Sequence, residues 1–240
     1  MESVPKIQLL ISLRKSVHAG TLINLLEDEI ATLRNSFPRI EHRLAVRLSG
    51  DPTASVPQDG AGIRDAIPPS FDVWLELAPK ECSIESLIES LEDLGDRLGS
   101  QIDRSQSAII IGQEHTIVPG TESLLLIMAI RRRSHLSSQQ FHDFWRNDHA
   151  SEVQDAVSDL EGYRQFHADK QATQMASEIT GLEIGDLEGT AEGYYSSMDK
   201  FLEIMASPEV SADAGFIDHA RSVMWLYSLT DFGNDRAEIK

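Results

Sequence analysis

The order of the predicted elements constrains the fold of this chain more than any other feature. In residues 6–112, apolar runs of strand length alternate with amphipathic helical stretches in the order β-α-β-β-α-β. Residues 124–229 repeat this order. Such a unit is typical of four antiparallel strands that carry both helices on one face. The opposite face of each sheet would be bare, so we expect the two sheets to cover each other.

The sequence therefore predicts an α+β chain made of two ferredoxin-like βαββαβ repeats, residues 1–118 and 119–240, packed sheet to sheet as an intramolecular, pseudo-dimeric α/β barrel. Residues 83–98 are expected to form one amphipathic helix, whereas the polar residues 169–186 read as a loop with at most a short helix. Residues 49–70 are rich in glycine, proline and aspartate and predict a long loop. The space between the sheets is the natural place for a pocket.

One helix of the second half has an unusual face. In Ser137 to His149, the side chains of Phe141, Trp145 and His149 recur every four residues, with Phe144 beside them. A serine at the start is a good N-cap, because its hydroxyl can accept a hydrogen bond from a free N–H of the first turn. The face is aromatic and ends in an imidazole. It indicates either a functional site or a plain hydrophobic core with a histidine at the helix end.

Composition and charge exclude several classes of partner. The chain of 240 residues has 39 acidic and 21 basic side chains and a formal charge of −18, which opposes binding to nucleic acid and to anionic membranes. No apolar run approaches the roughly 18 residues that cross a bilayer. Cys82 is the only cysteine, so an intrachain disulfide is impossible and a reducing, cytoplasmic location is expected.

Several short motifs occur in one order along the second half. They are FHDFWRNDHA from Phe141, YRQFH from Tyr163, EGTAE from Glu188, SPE from Ser207 and DAGFID from Asp213. Together they resemble the EthD family over about residues 120–232, although Glu188 stands where that family has aspartate. The first half has the same element order without these motifs and looks like a degenerate copy.

The resemblance implies a dimeric α+β barrel fold and a small, largely apolar substrate. Some members of the family are similar to fungal enzymes that dehydrate or decarboxylate aromatic polyketides without a cofactor, and related barrels include cofactor-free cyclases, monooxygenases and haem enzymes. We therefore expect a cofactor-independent lyase (dehydratase, decarboxylase or cyclase) in secondary metabolism. The alternatives are a non-catalytic ligand-binding or stress-related protein and a cofactor-free oxygenase. The fused barrel could also pair as a homodimer.

The candidate catalytic residues are polar groups that we expect to line the pocket between the sheets. His149 is the candidate general base, since an imidazole gains and loses a proton near neutral pH. Asp218 is the candidate partner that orients it. Tyr163 and His167 lie on one side of the same predicted strand and could donate a proton or a hydrogen bond. The candidate substrate-binding residues are the aromatic side chains Phe141, Phe144, Trp145 and Phe216.

Neither a metal nor an organic cofactor is expected. His142 and His167 permit a metal site, but the sequence has no His-x-x-x-His or cysteine spacing to support one. A histidine is available to bind haem, yet no haem-specific motif accompanies it. The run Arg131 to Arg133 could bind an anion, although such runs are more often solvated.

Overall fold

The computed structural model describes residues 3–55, 68–156, 159–207 and 215–230. Its strands are β1 (Ser3–Ile11), β2 (Glu41–Arg47), β3 (Val73–Ala78), β4 (Ala108–Val118), β5 (Leu124–Ile130), β6 (Tyr163–Ala168), β7 (Gly189–Tyr195) and β8 (Val223–Thr230). Its helices are α1 (Ala19–Ser36), α2 (Ile84–Ser90), α3 (Leu94–Leu98), α4 (Ser138–Phe144), α5 (Ala150–Ala156), α6 (Lys170–Thr180) and α7 (Met198–Met205). A π-helical turn, Trp145–His149, joins α4 to α5. Most of the predicted loop 49–70 and parts of two motifs, Pro208-Glu209 and Asp213-Ala214, lie outside the described residues.

The eight strands form one closed antiparallel barrel in the order β1-β3-β2-β8-β5-β7-β6-β4. This confirms an α+β barrel. Each half has the same strand order, because β4-β1-β3-β2 corresponds to β8-β5-β7-β6. The halves are joined at both edges by hydrogen-bonded pairs, β2 with β8 and β4 with β6. The two sheet faces that were expected to cover each other therefore form the interior of one continuous barrel.

One local prediction was wrong, and another gave too little helix. Residues 83–98 form α2 and α3 instead of one helix, because Asp93 between them has a left-handed φ of 55° that an α-helix cannot continue through. The polar stretch after Asp169 contains the helix α6, which Asp169 caps by accepting a hydrogen bond from the Ala172 N–H. The buried side chains of α6 are small (Thr173, Ala176 and Thr180), so hydrophobicity alone did not reveal its inner face.

Alternation along the strands separates an inner from an outer face. One apolar cluster draws side chains from all eight strands, including Leu10, Trp74, Phe166, Tyr194 and Tyr227, and only the barrel interior can bring these strands together. The outward residues pack under the helices in separate clusters. None of the helices in the described ranges has the length and apolarity needed to cross a membrane.

A network of buried charges lies inside the barrel. Lys6 Nζ lies 2.9 Å from Glu76 Oε1 and 2.6 Å from Glu114 Oε2. Arg43 donates to Glu76 at 2.8 Å and to Glu192 at 3.2 Å. Burial raises the pKa of the Glu76 carboxyl, but Arg43 and Lys6 outweigh burial and lower this pKa to about 2. The network therefore holds Glu76 ionised inside the barrel.

Removing the charge of Glu76 should destabilise the fold. We expect Glu76→Gln to lower the free energy of unfolding by about 3–5 kcal/mol at pH 7, because Arg43 and Lys6 lose a buried partner. The folded pKa lies below the unfolded one, so this contribution is present above about pH 4.5 and is lost as pH falls toward 2. The measurement is urea unfolding of both proteins from pH 7 to 3. Glu81→Gln, at an exposed pair, should change stability by less than about 1 kcal/mol. A difference between wild type and Glu76→Gln that stays constant with pH would contradict this account.

Gly189 at the start of β7 cannot accept a side chain. It has φ of 149°, and an added Cβ would lie 1.9 Å from the Phe166 carbonyl oxygen and 3.2 Å from Trp145 Cζ3. We expect Gly189→Ala to cost more than about 2 kcal/mol, measured as a loss of unfolding free energy. Gly185→Ala is the matched control, since its added Cβ meets nothing within 4 Å. Equal stability of the two variants would be incompatible with the close approach seen at Gly189.

Candidate active site

The aromatic helix begins as its sequence predicts and then changes its winding. Ser137 caps α4 by accepting from the Gln140 N–H, and the Gln140 side chain accepts from the Ser137 N–H, which completes a capping box. The side chains of Phe141 and Trp145 are fully buried. The π-helical turn from Trp145 to His149 follows directly. Such single wide turns often occur at functional sites, because they displace side chains from the ordinary helical path.

Phe216 brings together several of the predicted residues. Its ring centroid lies 5.3 Å from that of Phe141, 5.0 Å from Phe144 and 5.1 Å from the imidazole of His149. Phe216 is 4% exposed, whereas Phe144 is 38% exposed. The result is an aromatic surface with an open edge at Phe144 and an imidazole at its side.

Trp145 joins this surface to the two predicted residues of β6. Its ring stacks on His167, with centroids 4.3 Å apart. Its backbone carbonyl accepts a hydrogen bond from Gln165 Nε2 at 2.9 Å, and the same nitrogen lies 3.4 Å from the Tyr163 hydroxyl. Gln165 Oε1 in turn lies 3.1 Å from His167 Nε2. Tyr163 and His167 are therefore both tied to Gln165, a residue that the sequence analysis did not select.

Asp218 is the predicted site residue that the structure does not join to His149. Its carboxylate lies 3.8 Å from Arg221 Nη1, and its N–H donates to the Arg131 carbonyl at 2.8 Å. The Nδ1 atom of His149 instead lies 3.6 Å from Glu152 Oε2, one helical turn away. No hydrogen bond or ion pair connects Asp218 with His149 among the described contacts of the two residues.

The site lies on the outer face of the barrel and not between the sheets. On β6 the side chains of Phe166 and Ala168 belong to the inner cluster, so Gln165 and His167 point outward toward the π-helical turn. Trp145 and Phe141 pack with Ile130 and Phe216 in an outer cluster. The expected placement of these residues in a pocket between two sheets was wrong, because a helix of this topology covers the outside of the sheet.

Burial decides the protonation of the polar groups. It lowers the pKa of the His149 imidazole, and the nearby Glu152 carboxylate only partly opposes this. Burial, followed by His142, His115 and Arg146, lowers the pKa of His167 to about 2. Burial also raises the pKa of the Tyr163 hydroxyl. At neutral pH the predicted histidines and the tyrosine are therefore uncharged.

Three polar residues that were not among the candidate site residues complete the surroundings. His142 Nδ1 lies 2.8 Å from His167 Nδ1, and His142 Nε2 lies 3.3 Å from Glu188 Oε2. Glu188 also accepts from Ser138 at 2.7 Å and pairs with Lys170 and Arg132. Burial raises the pKa of Glu188, but these donors lower it to about 2. His115 on β4 is 4% exposed, and its ring lies 5.1 Å from that of His167.

The strand pattern of the sequence contains an indication of Gln165 and His115. Polar side chains recur at every second position of β6 (Tyr163, Gln165 and His167), and β4 pairs His115 with Gln165. Polar residues repeated on one face of a strand that is buried on both faces need partners there. The pattern alone cannot tell which face is the outer one.

The chain was compared with known proteins. No curated protein matches its sequence. Among solved structures, a proposed monooxygenase from Lactobacillus acidophilus NCFM has 7% identity and a TM-score of 0.48, with 95% of this chain and 94% of that chain covered. A proposed monooxygenase from Fusobacterium nucleatum has 9% identity and a TM-score of 0.49, with 98% and 96% covered. A mutant chlorite dismutase from Candidatus Nitrospira defluvii in complex with cyanide has 12% identity and a TM-score of 0.48, with 96% and 92% covered. At such identities these likenesses carry no activity to this chain.

The family comparison is more specific. The model of the EthD domain matches residues 133–220. This range includes the aromatic face of α4, the π-helical turn, β6, β7 and the segment that carries Phe216. The resemblance to the EthD family is therefore confirmed for residues 133–220 of this chain.

Proposed function

We propose that the chain is an acid/base enzyme that acts on a small, flat and largely apolar molecule, with His149 as general base. The observation that carries this proposal is the position of His149 at the edge of the Phe216 aromatic surface. Its Nδ1 atom faces Glu152, and no hydrogen bond between described residues engages its Nε2 atom. This nitrogen is the one available to a substrate.

The environment of His149 suits a base. Burial lowers the pKa of its imidazole, so the ring is neutral at pH 7 and has a lone pair ready to accept a proton. Once the ring is protonated, the Glu152 carboxylate at 3.6 Å stabilises the imidazolium. Glu152 thus takes the part that the sequence analysis gave to Asp218.

The aromatic residues support a flat substrate. Phe144 is 38% exposed and continues the face formed by Phe216, while Phe141 and Trp145 are fully buried behind it. A planar ring laid against Phe144 and Phe216 would place its edge toward His149. Tyr163 and His167, which bond to Gln165, hold the wall of this site in place.

The proposed reaction class rests on the family resemblance. A lyase step is consistent with a single base: in dehydration and cyclisation the base removes a proton and returns it, and in decarboxylation it can return to carbon the proton that it took from the substrate. An aromatic or polyketide-like substrate would fit the flat aromatic face. We also propose that residues 1–118 and 119–240 are two copies of one ferredoxin-like unit, which is supported by their identical strand order.

A non-catalytic ligand-binding protein is the second candidate. It is favoured by the bonding of three predicted catalytic groups within the protein, since Tyr163 and His167 bond to Gln165 and Asp218 faces Arg221. In that case the aromatic surface would bind a ligand without transferring a proton.

Proton transfer can be tested before the substrate is known. We would incubate the protein in D₂O with aryl ketones and aromatic 1,3-dicarbonyl compounds and follow deuterium uptake at carbon by NMR. We expect stereospecific exchange for the compounds that bind, and a rate about 10²–10⁴-fold lower in His149→Gln, because the base is lost. His135→Gln, at an exposed position, is the control and should exchange at the wild-type rate.

The outcomes separate the two candidates. Binding of these compounds with no exchange above the buffer rate would favour the ligand-binding protein. Exchange that is unchanged in His149→Gln would show that another group is the base.

A further inference from the structure

Two histidine nitrogens face each other beside Trp145. The Nδ1 atoms of His142 on α4 and His167 on β6 are 2.8 Å apart. The proton on each ring decides whether this contact is attractive. Hydrogen-bond partners on the far side of each ring constrain where that proton lies.

The proton of His167 is fixed by a chain that starts at a backbone carbonyl. The Trp145 carbonyl can only accept, so the Gln165 side chain must direct its NH₂ group toward it and its oxygen toward His167. That oxygen accepts from His167 Nε2 at 3.1 Å. A neutral His167 with its proton on Nε2 has a bare lone pair on Nδ1.

The other ring has a carboxylate beside its far nitrogen. His142 Nε2 lies 3.3 Å from Glu188 Oε2, a close contact without hydrogen-bond geometry, and a carboxylate oxygen can only accept. Lys170 Nζ and Arg132 Nε lie 2.8 Å from the other oxygen of Glu188 and keep this group ionised. This negative charge favours the neutral tautomer of His142 with its proton on Nε2, in which the Nδ1 lone pair points at that of His167.

Two lone pairs at this distance repel unless a cation lies between them. We propose that His142 and His167, with His115 as third ligand, bind a divalent transition-metal ion of the zinc type. On the far side of each ring lies an oxygen that can only accept: Gln165 Oε1 bonds to His167 Nε2, and the Glu188 carboxylate lies 3.3 Å from His142 Nε2. This is the outer-shell pattern that orients histidine ligands in metal sites.

The third ligand is indicated by an unsatisfied nitrogen. His115 is 4% exposed, and its buried Nδ1 has no hydrogen-bond partner. Its ring meets that of His167 edge to face at 5.1 Å. Three histidines and one water form a common ligand set for zinc. Zn–N distances of about 2.0–2.1 Å require the two Nδ1 atoms to separate by roughly 0.5 Å and the ring of His115 to turn toward them.

A shared proton is the competing explanation, and it accounts for fewer observations. It would relieve the contact between His142 and His167, but it would leave His115 Nδ1 without a partner. In the described part of the chain, only Glu76, Glu114 and Glu192 already bring three ligand atoms within 4.8 Å of one another. Lys6 and Arg43 occupy that acidic group, so it is not the better cation site.

The experiment is a titration of the tag-free, chelator-treated protein with Co²⁺ and then Zn²⁺. We expect one equivalent of Co²⁺ to give the strong visible bands of a tetrahedral site, and one equivalent of Zn²⁺ to displace it. His142→Asn and His167→Asn should abolish these bands, and Glu188→Gln should weaken binding by about 10–100-fold. His135→Gln is the control that should bind like wild type, because this exposed residue does not belong to the site.

The readout does not depend on the proposed enzyme activity, so the two proposals can fail separately. Circular dichroism of each variant checks folding, and if His167→Asn unfolds, the partly exposed His142→Asn decides the result. Octahedral Co²⁺ bands, or equal binding by His142→Asn and wild type, would overturn the metal site. A ¹⁵N NMR signal for one proton shared by the two Nδ1 atoms that zinc does not displace would establish the competing explanation.

Discussion

Closure of the barrel is the constraint on which the rest of the structure depends. Because β2 pairs with β8 and β4 pairs with β6, none of the eight described strands has a free edge, and each side chain on them faces either the barrel interior or the outer side, where the helices pack. The strands are therefore buried on both faces along much of their length, as β3 shows with all six residues buried. A polar side chain that is buried on them therefore needs a partner. This requirement produces two separate polar groups, one inside the barrel and one on its outer face.

The inner group links strands from both halves. Lys6 and Gln8 on β1 reach Glu76 on β3 and Glu192 on β7, and Arg43 on β2 reaches Glu192 as well. Burial of these charges is costly, and the Coulomb attraction repays it only in good geometry. A shift of one strand by one residue would turn its charges to the outer face and leave their partners unpaired. The network therefore disfavours such a shift of register. Apolar residues alone would disfavour it less, because they need no specific partner.

Much of this fold could be predicted from sequence, because helices and strands differ in period. The β-α-β-β-α-β order of each half, the capping serine of α4 and the shared face of Phe141 and Trp145 follow from the sequence pattern. The faces of the strands could not be assigned. Alternation places Tyr163, Gln165 and His167 on one side of β6, but both sides are buried, and burial is what normally distinguishes inside from outside. The helix α6 was missed for a related reason, since its inner face is made of small polar and apolar residues.

One backbone turn connects the two proposed sites on the outer face, the base His149 and the His142–His167 pair. The first residue of the π-helical turn, Trp145, offers its carbonyl to Gln165 and its ring to His167, whereas the last residue, His149, lies against Phe216. A wide turn allows both contacts, because the side chains after it are displaced relative to the side chains before it. Gly189 lets β7 approach the Phe166 carbonyl of β6 more closely than a side chain would permit, and an added Cβ would also lie 3.2 Å from the Trp145 ring. The contacts of this turn therefore position both His167, through the ring of Trp145, and His149, through the ring of Phe216. The nitrogens of the His142–His167 pair and of His149 face different surroundings, so the proposed metal site and the proposed base can be altered separately by mutation.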